Sequence, residues 1–230
     1  MTWFHITHKN GVALVNIFGA IGVGATAEEL IAELLGATTV ELRIETPGGS
    51  GKTALKIYDA LRERNTSAEI IGRCYSAGFI IVMAAKRIKC ASSGRLMIHP
   101  PACFVLGNAG QLRAAADDLE KDRERCEQII SDRSGQPLET VRFWARGETY
   151  FSPEEALFHR LVDEIYTAPE VPAAPAIAAN VTPGAAPVTE SEEMFRAWLK
   201  AFGPITVASK REFLQDVAGW LLVNVAERQA

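Results

Sequence analysis

The sequence predicts an α/β fold with a mainly parallel sheet, because short strand-like apolar runs alternate with helical patterns up to residue 166 and capping boxes mark several helix starts. Residues 12–18 (VALVNIF) read as a strand. Thr26-Ala-Glu-Glu29 follows as a capping box, in which Thr26 accepts from the Glu29 amide while Glu29 reaches back. Leu30, Leu34 and Leu35 form the stripe of that helix, and Gly36 ends it. Residues 40–45 (VELRIE) predict a second strand. Ala54, Leu55, Ile57, Tyr58 and Leu61 mark a helix by their spacing.

A third strand is expected over about 68–74, then an apolar helix from Ser76 to Ala85, and short strands near 88–91 and 95–98. A long helix carries Leu112, Ala116, Leu119, Cys126 and Ile130 on one side and runs to about Arg133, where Gly135 stops it. Pro137 opens a further short helix. Ser152-Pro153-Glu154-Glu155 is a second capping box, with proline at the first helical position, where no N–H is needed. LVDEIY closes the domain as a strand near 161–166.

Composition changes abruptly after that. Residues 167–190 are rich in Ala and Pro and lack periodicity, which predicts an extended linker between a domain at 1–166 and a helical tail at 191–230. In the tail, Met194, Phe195, Trp198, Leu199 and Phe202 sit at helical spacing, and a second helix carries Phe213, Leu214, Val217 and Leu221. Two short helices bury little surface alone, so they are expected to pack on a partner or on the main domain.

The totals exclude several classes. A formal net charge of -4, with no Lys/Arg-rich run, gives no reason to expect nucleic acid. No apolar run reaches the roughly 18 residues that span a bilayer, and WLLVNV is too short, so no membrane partner is expected. Cys74, Cys90, Cys103 and Cys126 match neither a zinc ribbon nor a redox CxxC pair, and read as reduced thiols in a cytoplasmic protein. MTWFHITHKNG shows no secretion signal.

The chemistry-bearing residues come in three places. Ser76, in Gly72-Arg-Cys-Tyr-Ser-Ala-Gly78, follows a strand and opens a helix, where free amides and positive potential face it. A serine there serves either as a nucleophile or simply as an N-cap, the commoner use. His99 ends the strand Leu96-Met-Ile-His99, a place where active-site groups of parallel α/β sheets collect. Its imidazole can take a serine proton and return it to a leaving amine. His5, His8 and His159 have no such setting. Thr46-Pro-Gly-Gly49 closes a strand before a helix, so its glycines let the backbone approach a substrate and offer amide donors. The amides of Gly49 and Ala77 would make a two-donor oxyanion hole. A rival reading lies in Gly49-Ser-Gly51-Lys52-Thr53, which looks like the end of a phosphate-binding loop but has Thr46 where that pattern starts with glycine.

With these pieces placed, the chain resembles the Clp protease proteolytic subunit family, and more narrowly its head-maturation relatives of phages and prophages. IETPGG (44–49), YSAG (75–78), LMIHPP (96–101), RSGQPLE (133–139) and ETYFSPEEALFHRLVDEI (148–165) carry the resemblance, from roughly residue 12 to 166. It implies a crotonase-like spiral of β-β-α units and a Ser-His-acid triad needing no metal or organic cofactor. Ser76 matches the nucleophile, His99 the base, and the amides of Gly49 and Ala77 the oxyanion donors. The acid falls at Glu148, where the family has aspartate, ahead of Asp163.

The resemblance also implies a polypeptide substrate, with a capsid or scaffold protein as the biological candidate, and a homo-oligomeric ring stacked through the helix at about 110–133. The family's unfolding AAA+ ATPase is a partner the sequence does not decide, because little chain precedes residue 12. Gly147 replaces an arginine that pairs across rings in the housekeeping enzyme. A catalytically inactive assembly module and an acyl-CoA enzyme of the same fold are the remaining alternatives.

Overall fold

A computed structural model describes residues 2–167 of the chain. The linker expected at 167–190 lies, from residue 168 onward, outside the described residues, as does the whole of the tail at 191–230.

Eight strands form one sheet: β1 (Phe4–Lys9), β2 (Val12–Phe18), β3 (Thr39–Thr46), β4 (Asn65–Tyr75), β5 (Arg87–Ala91), β6 (Arg95–Ile98), β7 (Thr149–Phe151) and β8 (Glu164–Tyr166). Their order is β1-β2-β3-β4-β5-β8, with β6 also on β4 and β7 on β6. The β2–β3, β3–β4, β4–β5, β4–β6 and β5–β8 pairs are parallel; β1–β2 and β6–β7 are antiparallel. The expected α/β class with a mainly parallel sheet is the observed one.

Among the described residues six helices fill the connections: α1 (Ala27–Glu33), α2 (Gly51–Arg62), α3 (Ala77–Val82), α4 (Ala109–Ser134), α5 (Leu138–Trp144) and α6 (Pro153–Phe158). Parallel neighbours need such crossovers, because a tight turn cannot return the chain to the same end. Alternation then decides the faces. Val40, Leu42, Ile44 and Thr46 of β3 are buried, while Glu41 and Arg43 between them point to solvent. The core joins Val40, Leu42 and Ile44 to Ile57 and Leu61 of α2 and to Phe79 and Ile81 of α3.

β4 positions the site. Its early residues, Ser67 to Ile70, pair with β5, whereas Arg73 to Tyr75 pair with β6. One long strand thus hands over from one neighbour to the next, and the ends of β4 and β6 emerge side by side.

The structure departs from the expectations in a few elements. β1 was not expected. It returns on β2 through Asn10 (φ 52°) and Gly11 (φ 78°), both left-handed, the geometry an Asn-Gly hairpin turn adopts. β7 is three residues long, too short for a periodic signal. Helix α1 stops at Glu33, before Gly36, and of the expected stripe Leu30 and Leu34 are buried while Leu35 is 76% exposed. In α4 only Glu127, Ile129, Ile130 and Ser134 are buried; its earlier turns are partly or fully exposed, and Leu112 is exposed. Gly135 caps α4 in the left-handed conformation, as expected of that glycine.

Candidate active site

Ser76 sits between β4 and α3 with φ 52° and ψ -116°, a conformation that non-glycine residues rarely adopt. The strain is held from both sides. The Ser76 amide donates to the Met97 carbonyl at 2.8 Å, extending the β4–β6 ladder, and its own carbonyl accepts from Ile80 in the first turn of α3. Strained backbone fixed this firmly collects at functional sites. Its hydroxyl makes no cap hydrogen bond to α3, so the simple N-cap reading does not describe it. The hydroxyl instead lies 2.7 Å from His99 Nε2.

His99 follows β6 directly, and both side chains are partly buried. The short reach therefore comes from the topology: β4 and β6 are neighbours, and each ends one residue before its reactive side chain.

The glycine segment after β3 closes over the serine. Gly48 has φ 107°, and a Cβ there would lie 2.8 Å from the Ser76 Cβ. Gly49 has φ 147°, and a Cβ there would lie 2.2 Å from the Ile21 carbonyl oxygen. Only glycine fits at either place. The segment runs extended against Ile21, whose amide donates to Gly48 O at 2.8 Å and whose carbonyl accepts from Ser50 at 2.9 Å. Thr46, fully buried, donates through Oγ1 to Gly19 O at 2.5 Å and accepts from the Gly48 amide at 3.0 Å. A phosphate-binding loop would curl its amides around an anion; this one lies as an extra strand bridge. Sequence reading named Thr46 only as the start of the glycine segment and did not find Ile21, because neither residue type announces a backbone clamp.

A cleft of about 310 Å³ opens here, lined by Gly49, Ser76, Ala77 and His99. Its apolar lining includes Ile80, Ile98, Leu119 and Ile130. The first amides of a helix have no intrahelical acceptor, so that of Ala77, the first residue of α3, has none. Ser76, His99, Gly49 and Ala77 therefore share one cleft.

Glu148 is not joined to them by a hydrogen bond. The antiparallel register that sets Ile98 opposite Thr149 carries Glu148 level with His99, but its carboxylate accepts from the Tyr150 hydroxyl at 2.9 Å and is exposed to solvent. That bond holds the Tyr150 phenol above its ordinary pKa. Asp163 has a structural occupation: it accepts from the Ile88 amide at 2.7 Å and from Arg133 at 2.5 Å.

Two further features border the cleft. Glu127, with a side chain 3% exposed, accepts from Arg123 on its own helix and from Arg142 of α5 at 3.4 Å. Cys126 is pushed up to about 12, mainly by burial and then by the Asp122 charge. Among the described residues no group of three or more His, Cys, Asp or Glu side chains could hold a metal ion, and no helix is long and apolar enough to cross a membrane.

Comparison with known proteins adds an independent line. Residues 19–169 match the family described as Clp protease. The chain is similar to the ATP-dependent Clp protease proteolytic subunit 1 of Prochlorococcus marinus, 30% identical over 129 residues, which is 54% of this chain and 66% of that protein. It is also similar to the ATP-dependent Clp protease proteolytic subunit 2 of Parasynechococcus marenigrum, 32% identical over 130 residues, 55% of this chain and 66% of that protein. The chain thus spans just under two thirds of the length of each of these relatives.

Proposed function

Because the chain belongs to the Clp protease family, we propose that it is a serine endopeptidase in which Ser76 is the nucleophile and His99 its base. The single observation that carries this is the 2.7 Å approach of Ser76 Oγ to His99 Nε2. With the proton on Nδ1, Nε2 accepts the serine proton as Oγ attacks a peptide carbonyl. The amides of Gly49 and Ala77 hold the oxyanion, since the Gly48 amide is already taken by Thr46. The imidazolium then protonates the leaving amine. Water deacylates the serine by the same route, with His99 again as base and then as acid.

Glu148 is the third member in this reading, supported by its level position across the β6–β7 pair. To reach Nδ1 it must exchange the Tyr150 hydroxyl for the imidazole. Residues 1–166 form the peptidase domain, joined by the 167–190 linker to the tail at 191–230. The chain assembles as a homo-oligomeric ring and works in the cytoplasm, where its thiols stay reduced. Its polypeptide substrate is a capsid or scaffold protein during phage or prophage head maturation, supported by the motifs from IETPGG to the closing LVDEI.

The test is hydrolysis of an unstructured protein and of internally quenched peptides. Ser76→Ala and His99→Ala should each lower kcat by about a million-fold, and Glu148→Gln by about ten-thousandfold, with KM little changed. Parent-level turnover in Ser76→Ala would remove the serine from the mechanism. Parent-level turnover in Glu148→Gln would remove Glu148 alone.

A further inference from the structure

Seven charged side chains line the cleft or its rim, and most are neutralised. Arg123 is held by Glu120 and Glu127, Glu127 also by Arg142, and Asp118 by Lys121 at 3.4 Å. Three of the seven have no ion-pair or hydrogen-bond partner among the described residues: Arg146 at the rim and, in the cleft itself, Lys52 in the first turn of α2 and Asp122 on α4. The two in the cleft have opposite signs and stand on different walls. Helix α3, whose first turn carries Ala77, packs against both α2 and α4, and Ser76 lines the same cleft as the two charges. The cation stands where the free amides of α2 add positive potential, which strengthens attraction for an anion.

An unpaired charge in a cleft that must bind polypeptide acts on the residues flanking the cleaved bond. We infer that Lys52 and Asp122 determine specificity, so that the cleft favours an acidic side chain on the Lys52 flank of the reacting carbonyl and a basic side chain on the Asp122 flank. The inference rests on the peptidase reading and adds the substrate class: segments whose charge changes sign across the scissile bond. Complementary charge of this kind steers encounter and fixes register more than it tightens binding. Because Lys52 is solvent-exposed, each pair is worth about a two- to fivefold preference, and salt weakens it.

The experiment walks Glu, against Gln, through the positions either side of an apolar cleavage residue in quenched peptides. The readout is the kcat/KM ratio of each Glu/Gln pair. In the parent, one flank should show Glu favoured about two- to fivefold. Lys52→Met should bring that ratio to about one, and Lys52→Glu should invert it, while salt near 1 M flattens the parent itself. A Lys/Gln walk with Asp122→Asn should show the same pattern on the opposite flank. Fluorophosphonate labelling of every variant runs alongside. Intact labelling with ratios unchanged by any substitution overturns the charge selection and leaves the serine chemistry standing. A parent that neither labels nor cleaves overturns both.

Discussion

At the scale of single residues, the site is held by backbone more than by side chains. Ser76 is strained, and Gly48 and Gly49 press against it and against Ile21. Gly49→Ala keeps the amide but drives a Cβ into the Ile21 carbonyl, so the segment must shift. The expected result is a hundred- to thousandfold or greater loss in kcat with the circular dichroism of the fold retained. Parent activity in Gly49→Ala would mean that this amide is not an oxyanion donor. The cysteines give a pH-dependent check on the packing. Burial pushes Cys74 well up, Cys90 to about 11 and Cys126 to about 12. At pH 8 only about one Cys126 thiol in ten thousand is thiolate, and the thiolate is what alkylates. Iodoacetamide at pH 8 should leave all three unmodified in the folded protein, with rates rising about tenfold per pH unit above it. A folded thiol pKa above its unfolded value of 9 stabilises fully below pH 9 and progressively less as pH rises toward 11–12. Cys126 is only partly buried and borders the cleft, so rapid labelling there at pH 8 would contradict its raised pKa.

Among the elements, legibility followed the length of the signal. Helices with a capping box or a long periodic face could be read: α4 ran from near residue 110 to Gly135, and the boxes at Thr26 and Ser152 both formed. What failed was what a local window does not contain. The exposure of Leu35 and Leu112 depends on how far a helix overhangs its neighbours, and β7 exists only because β6 lies beside it. The site divides in the same way. Ser76 and His99 could be singled out because each follows directly on an expected strand, whereas Thr46, Ile21 and Tyr150 act through contacts with distant segments. The Glu127 link between α4 and α5 was likewise invisible. Glu127→Gln leaves two guanidiniums facing a neutral amide, but Arg123 and Arg142 keep access to water. The loss should therefore fall below the full figure for a broken buried pair, at about 2 kcal/mol by urea unfolding. No change in the midpoint would mean that the pair does not hold α5.

For the molecule as a whole, the sheet handover along β4 is the device that makes a site out of two strand ends. The order in which the strands pair brings residues 23 positions apart to hydrogen-bond distance. Everything else, from the glycine segment to the cleft walls, is arranged around that contact. It also makes one measurement decisive. A fluorophosphonate should leave a single adduct on the 25.0 kDa chain, found by peptide mass spectrometry on Ser76 and absent from Ser76→Ala, with His99→Ala labelled at least a thousandfold more slowly. An adduct on any other residue, or equal labelling without His99, would contradict the account.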